Sequence, residues 1–177
     1  MKKYSQEEYD ALPVIDEYKE CPTGDYTAIK YFSECCSFGE CCRFGECCRF
    51  SERCRFDKGC RFSEYCSFSE YCSFDKRCRF DKRCRFGECC RFSERCKIEG
   101  VYTLIRLLQF GGFGSEQRTT YIYLTDQGIM VRCGCFFGSL EQFRAKVAET
   151  HGDNHFAQGY LKLADLAEWE LREEATS

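Results

Sequence analysis

Cys36-Ser-Phe38-Gly39-Glu-Cys41, then Cys42-Arg-Phe44-Gly45-Glu-Cys47, then Cys48-Arg-Phe50-Ser51-Glu-Arg53: one hexad repeats without a slip from residue 36 to residue 98. Cysteine returns at 36, 42, 48, 54, 60, 66, 72, 78, 84, 90 and 96. Phenylalanine follows two residues later at 38, 44, 50, 56, 62, 68, 74, 80, 86 and 92, and Ile98 takes the last such place. The next position is always small or acidic, as in Gly39, Ser51, Asp57 and Glu99. A period of six sets successive cysteines about 600° apart around a 3.6-residue helix, which excludes a helix. On a strand, residues two apart share a face, so Cys and Phe point inward and the Arg or Ser between them points outward. Gly, Ser or Asp followed by Glu or Lys suits a bend. A strand of three and a turn of three, repeated eleven times, describe a β-solenoid.

The order of the hexad resembles that of hexapeptide-repeat left-handed β-helices. Those carry a small residue, any residue, an aliphatic residue, a Gly, Ala, Glu or Asp, and two free positions. Cys36-Ser-Phe38-Gly39-Glu-Cys41 and Cys78-Arg-Phe80-Asp81-Lys-Arg83 fit that order, with Cys as the small residue and Phe as the aliphatic one. The resemblance implies a triangular, left-handed coil of three hexads and about four turns, with strands ~4.8 Å apart. Uniform Phe is the departure, because three rings per coil crowd a triangular bore. Pentapeptide-repeat solenoids also use Cys-x-Phe, with five residues on each of four sides, so a four-sided coil is the alternative. Enzymes that resemblance associates with this class, in acyl transfer and metal-dependent hydration, rely on histidines presented from or between coils. Residues 36–98 contain no histidine.

Eighteen cysteines in 177 residues invite a disulfide or metal reading. Strict periodicity argues for packed thiols instead, since free Cys is among the most buried residue types. Bridges between neighbouring coils are the second reading, because stacked cysteines fall within bridging range. A metal site is the third, and the paired spacing of zinc or cluster ligands is missing. Cys35, Cys41, Cys47 and Cys89 occupy a turn position that elsewhere holds Arg53, Gly59, Tyr65 or Arg77, so these four are the expected surface thiols.

Met1-Lys-Lys3 leads into polar residues rather than an apolar signal region, and no apolar run approaches the ~20 residues of a membrane span. A cytoplasmic protein with no membrane partner is expected. The net charge of -3 divides unevenly: residues 1–35 and 98–177 carry -4 each, and residues 36–97 carry +5. An electrostatic partner of the repeat is therefore acidic.

Three domains are expected: a capping segment over residues 1–35, the solenoid over 36–98, and a C-terminal α+β domain over 99–177. Ser5-Gln-Glu-Glu8 has the form of a capping box that opens a short helix ending near Pro13. Phe32 and Ser33 match the phase of the repeat, with Lys30 in the cysteine place, as befits an atypical first rung. In the C-terminal part, Val101–Phe110, Thr119–Leu124 and Ile129–Cys135 read as strands, and Gly111–Gly114 as a loop. Ser139-Leu-Glu-Gln142 is a second capping box, opening a helix with Leu140, Phe143 and Val147 on its apolar face. His151-Gly-Asp153 breaks it, and Asn154 caps another helix running to about Glu173. The order is β-β-β-α-α. Val131-Arg-Cys-Gly-Cys-Phe-Phe-Gly138 with the Leu-Glu-Gln-Phe helix and His151-Gly152 resembles a module of uncharacterised phage and prophage proteins. That resemblance implies a phage-related origin and no particular activity. His151, Asp153 and His155 sit in a helix junction, where polar residues belong without any metal.

Three hexads per coil stack residues 18 apart. One outward row is then Arg43, Arg61, Arg79 and Lys97; a second is Arg49, Ser67 and Arg85; a third is Ser37, Arg55, Ser73 and Arg91. Arg43, Arg61, Arg79, Lys97, Arg49 and Arg85 are the candidate binding residues. The plain alternative is that the Glu row at 40, 46, 52, 64, 70, 88 and 94 neutralises them on a solvated surface. No catalytic residue, metal site or cofactor is expected. The function expected is that of a non-catalytic binding or scaffold protein, a phage-related accessory factor engaging a host or phage macromolecule, foremost a protein. The alternative is a nucleic-acid-binding protein using the basic row. A homo-oligomer fits a solenoid with apolar edges.

Overall fold

Each hexad contributes a strand of two or three residues; from Phe38 to Phe86 its Phe is buried while the Arg or Ser beside it is turned outward. A computed structural model describes residues 1–114 and 116–171 and divides the chain into two compact units, the first Met1–Thr103 and the second beginning at Leu104. In the first unit the strands of the hexads pair in parallel with those 18 residues on: Arg43 with Arg61, Ser73 with Arg91, Arg49 with Ser67. Three hexads thus make one coil, and the unit is a parallel β-solenoid of about four turns. This decides against the four-sided coil, whose stride is longer.

The crowding expected of three phenylalanines per coil is resolved by their orientation. Rings of successive coils lie flat on one another, as Phe44 on Phe62 at 4.8 Å and 3° and Phe38 on Phe56 at 5.0 Å and 2°. Rings within a coil meet edge to face, as Phe38 with Phe44 at 4.9 Å and 88° and Phe44 with Phe50 at 5.0 Å and 89°. Both arrangements suit the ring quadrupole. The bore is three interlocked aromatic columns.

Cysteine fills the space beside them. Ladder thiols Cys36 through Cys78 are fully buried, and each from Cys54 onward donates Sγ–H to a carbonyl of the coil below: Cys60 to Gly39 at 3.4 Å, Cys66 to Gly45 at 3.2 Å, Cys78 to Asp57 at 3.4 Å. A thiol thus does what alanine there cannot, adding a weak donor to the inter-coil ladder.

Corners turn through a left-handed residue. Positions 35, 41, 47, 53, 59, 65, 71, 77, 83, 89 and 95 all have φ between 52° and 76°, and only Gly59 among them is glycine. The strain, roughly 1–2 kcal/mol per non-glycine residue, is held because the twisted amide joins the next coil: Arg53 N–H donates to the Glu70 carbonyl and Tyr65 N–H to that of Lys82, both at 3.0 Å.

Asp57 and Asp75 follow their phenylalanines on successive rungs. Burial first, then Asp75 and Glu40, hold the Asp57 carboxyl above its ordinary value of 3.8. A raised folded-state value means that protonation favours the fold. The contribution is complete below the unfolded value and is lost as pH rises through the higher folded one. Asp57→Ser, which installs the residue that other rungs use, is expected to raise stability in urea at pH 7 by roughly 0.5 kcal/mol after allowing for solvent screening. At pH 3 it should do nothing; an equal gain at both pH values would refute the electrostatic account.

The first coil is built from unrepetitive sequence. Tyr18–Cys21 pairs with Cys36–Phe38, Asp25 bridges to Arg43, and Tyr31–Phe32 pairs with Arg49–Phe50. Tyr26 takes the Phe place and lies on Phe44 at 5.7 Å and 17°. The helix Gln6–Asp10 carries both halves of the Ser5–Glu8 capping box. From it Tyr9 meets Phe32 edge-on and shares hydrogen bonds with Ser33 and Cys36, while Tyr4 stacks on Tyr26. Together they close the N-terminal end of the bore. At the other end Lys97–Ile98 pairs antiparallel with Tyr102 and Thr103, covering an otherwise open strand.

In the second unit the strand Tyr102–Phe113 runs on from Leu104 against Arg118–Thr125, which pairs in turn with Gly128–Cys133. Two expectations change. Gly111–Gly114 does not form a loop from its start: the strand continues to Phe113, and the register shifts after Phe110, where Gly112 adopts φ 62° and lets the surplus bulge out. A fourth strand, Phe136–Ser139, pairs with Gly128–Cys133 after a tight turn at Gly134 (φ 58°), so the order is β-β-β-β-α-α. The helix Leu140–His151 has both halves of the Ser139–Gln142 capping box and buries Leu140, Phe143 and Val147. Asn154 caps the helix His155–Leu171, its side chain accepting from the amides of Phe156 and Ala157; the end expected near Glu173 lies outside the described residues. The core joins Ile122, Leu124 and Val131 of the sheet to Phe143, Leu163 and Ala167 of the helices. No helix among the described residues is long and apolar enough to cross a membrane.

Candidate functional site

The strand register sets the outward side chains in rows. Arg43, Arg61, Arg79 and Lys97 lie in one unbroken row, successive members being strand partners. The row starts further back than the hexads do, with Asp25 beside Arg43 and Lys3 beside Asp25. The Thr27 hydroxyl, donating at 2.6 Å, is the first cause that holds the Asp25 carboxyl below its ordinary value, so this end of the row stays anionic. Arg49 and Arg85 fall in a second row, Tyr31–Arg49–Ser67–Arg85, with Ser67 between them. The third row, Glu20–Ser37–Arg55–Ser73–Arg91, is the least available, as the Arg55 guanidinium lies 3.8 Å over the Tyr18 ring.

The Glu row does not neutralise these arginines. The ion pairs that Glu40 and Glu94 make go to corner cations, to Lys58 at 3.1 Å and to Lys76 at 3.4 Å, and Glu34, in phase with the row, pairs with Arg53 at 3.8 Å. Arg79 reaches Asp81 at 3.5 Å. Among the described residues no carboxylate stands at ion-pair distance from Arg43, Arg49, Arg61 or Arg85. Their charge is directed at solvent.

Around Ser67 the second row becomes a groove. With a small residue between two long ones, the face is hollow, and the corner residues Cys47, Tyr65 and Arg83 wall it on one side. Lys30 and Tyr31 complete a groove of about 450 Å³ that four cations and no carboxylate line. Arg83 donates to the Tyr65 hydroxyl at 3.0 Å. The guanidinium of Arg49 is 5.7 Å from the Tyr31 ring centre and that of Arg83 is 5.5 Å from the Tyr65 ring centre. Tyr31 is 65% exposed and Tyr65 47%. Sequence reasoning gave Arg49 and Arg85 and missed Tyr31, Tyr65, Arg83 and Lys30. The signal was the same 18-residue stride, since Cys47, Tyr65 and Arg83 share one corner column beside Arg49, Ser67 and Arg85.

The second unit holds both histidines. His151 stacks against Tyr160 at 5.6 Å and 28°, and His155 borders an apolar groove with Phe110, Phe156, Leu163 and Leu166. Among the described residues no three metal-binding side chains converge. The fold and its outward rows define the class of a parallel β-solenoid with cationic strand faces. No family model, curated protein or solved structure matches the chain.

Proposed function

We propose that this is a non-catalytic binding protein whose solenoid engages an acidic macromolecule through its rows of strand arginines. One observation carries the reading: Glu34, Glu40 and Glu94 pair with corner cations, and among the described residues no carboxylate stands at ion-pair distance from Arg49, Arg61 or Arg85, while Arg43 has Asp25 beside it only at the end of the row. A stiff repeat that sets like charges about 4.8 Å apart keeps them there only at some cost in mutual repulsion. An arriving polyanion relieves that cost and releases its counterions. A role as a phage-related accessory factor in a host cytoplasm belongs to the same proposal, supported by the likeness of the C-terminal sequence to phage modules. An acidic protein surface and a nucleic acid both answer the charge of the Arg43 row; the tyrosines of the neighbouring groove favour the second.

The test is charge reversal on exposed positions. Arg43→Glu, Arg61→Glu and Arg79→Glu together should abolish retention on a heparin column from which the unaltered protein elutes only with added salt. The thermal midpoint should move little, because none of the three side chains is in the core. An unaltered protein that passes through the column at low salt sinks the reading.

A further inference from the structure

The groove at Ser67 differs from the Arg43 row in one respect that charge does not explain: it pairs its cations with exposed aromatic faces. We propose that this groove is a binding site for single-stranded nucleic acid, with bases stacking on Tyr31 and Tyr65 and phosphates meeting Lys30, Arg49 and Arg85. The inference rests on the reading of the solenoid as a binder of acidic macromolecules and names which one.

Three features point the same way. First, the lining has four cations and no carboxylate, so the potential is uniformly favourable to a polyanion. Second, Tyr31 and Tyr65 are large and exposed, as is Tyr71 on another corner, but only these two lie beside the cations of a groove. An exposed tyrosine gains nothing for the fold, whereas every base offers a face to stack on it. The two guanidiniums stand off the rings at 5.7 and 5.5 Å, against 3.8 Å for Arg55 over Tyr18. Each guanidinium stands over one face of its ring, so a base would stack on the other. Third, the scale fits. Tyr31 pairs with Arg49, Arg49 with Ser67, and Tyr65 lies two residues before Ser67. The tyrosines are thus two rungs apart along the solenoid, about 9–10 Å, with Tyr65 set to the corner side, a separation that a short run of nucleotides spans. A duplex keeps its bases stacked on one another and offers no free face to either ring. The continuous Arg43 row has no aromatic and no hollow, and serves as a charged flank.

The experiment is fluorescence anisotropy with a labelled oligothymidylate of about 10 nucleotides, within the site size of one such module. A duplex of equal length and heparin serve as competitors. The oligonucleotide should bind with a log–log salt slope of about -2 to -3, as three or four phosphate contacts give. Tyr31→Ala with Tyr65→Ala should weaken that binding at least about tenfold while leaving heparin retention unchanged. Tyr31→Phe with Tyr65→Phe, which keeps the ring faces, should restore it. If the alanine pair binds the oligonucleotide as the unaltered protein does, or if the duplex competes as well as the single strand, the groove is not a stacking site and the inference falls. Heparin bound without the oligonucleotide also overturns it and leaves an acidic protein as the partner of the cationic rows. Binding of neither removes the proposed function as well.

Discussion

Truncating Phe62 to alanine is expected to lower the stability of the solenoid by about 3–5 kcal/mol. Phe62 lies in the middle of its column, flat between Phe44 at 4.8 Å and Phe80 at 4.9 Å. It also meets Phe56 and Phe68 edge-on at 5.0 and 4.9 Å. These four close aromatic pairs, each worth about 0.5–1.5 kcal/mol beyond area burial, are lost at once, with the wider edge contacts to Phe50 and Phe74. The cavity cannot collapse, because its neighbours are fixed by inter-coil hydrogen bonds on both sides, Arg61 N–H to Cys42 and Arg79 N–H to Cys60. In a one-dimensional array the damage is also topological: a weak rung at the centre uncouples the coils before it from those after it. Phe92 supplies the control. It is only partly buried and closes its column against Phe74 alone, so Phe92→Ala should cost about half as much. Urea unfolding followed by circular dichroism separates the two. Equal losses would mean that the central stack does not bear the stability assigned to it.

What the sequence made legible follows from how strictly each feature obeys the period. Cys-x-Phe fixes inward and outward faces, and the stacked rows at Arg43 and Arg49 need only the stride of 18, which the strand pairing bears out. The first coil escaped because its pairing slips: Lys19 opposes Cys36, one residue short of the stride, and Tyr26 and Ile29 fill inward places that no hexad marks. Competition between Glu and Arg was misjudged for a reason of reach. Glu40, Lys58, Lys76 and Glu94 form one corner column by the same stride, so glutamate meets corner lysine one rung away more readily than an arginine that projects from the strand. The groove was hidden by treating corner positions as mere turns, although Tyr65 and Arg83 are brought beside Arg49 and Arg85 by register alone. In the second unit, Phe136–Ser139 is too short to announce itself, and only the φ of Gly134 turns it back onto the sheet.

Thiol labelling gives the second large effect, since it reads the bore and the corners in one experiment. Cys41, Cys47, Cys89 and Cys135 are exposed and should alkylate rapidly in the native protein. Cys35, Cys90 and Cys133 are half-buried and should follow more slowly. The ladder thiols from Cys36 to Cys78 are closed to reagent by burial. At Cys48 and Cys66 the thiolate that must attack is disfavoured as well. Hydrogen bonding to Cys66 first, and then burial, raise the Cys48 thiol. For Cys66 the bond with Cys48 acts downward, but the neighbouring Cys84 and burial outweigh it and push the thiol up to about 12. Native buffer should therefore leave the ladder unlabelled while the exposed corner thiols react. Reaction of the ladder requires opening of the coil, so it should lag by at least about 10³-fold, the factor set by even a modest folding stability. It should appear in urea with the same midpoint as the loss of β-signal, if the array unfolds as one unit. Mass spectrometry of peptides from the pulse-labelled protein assigns each site, and Cys60 labelled as fast as Cys47 in native buffer would contradict a closed aromatic bore. The combination with Phe62→Ala is the sharper form: a break at that rung should expose Cys60 and Cys66 ahead of Cys42, because opening spreads outward from the weakened coil.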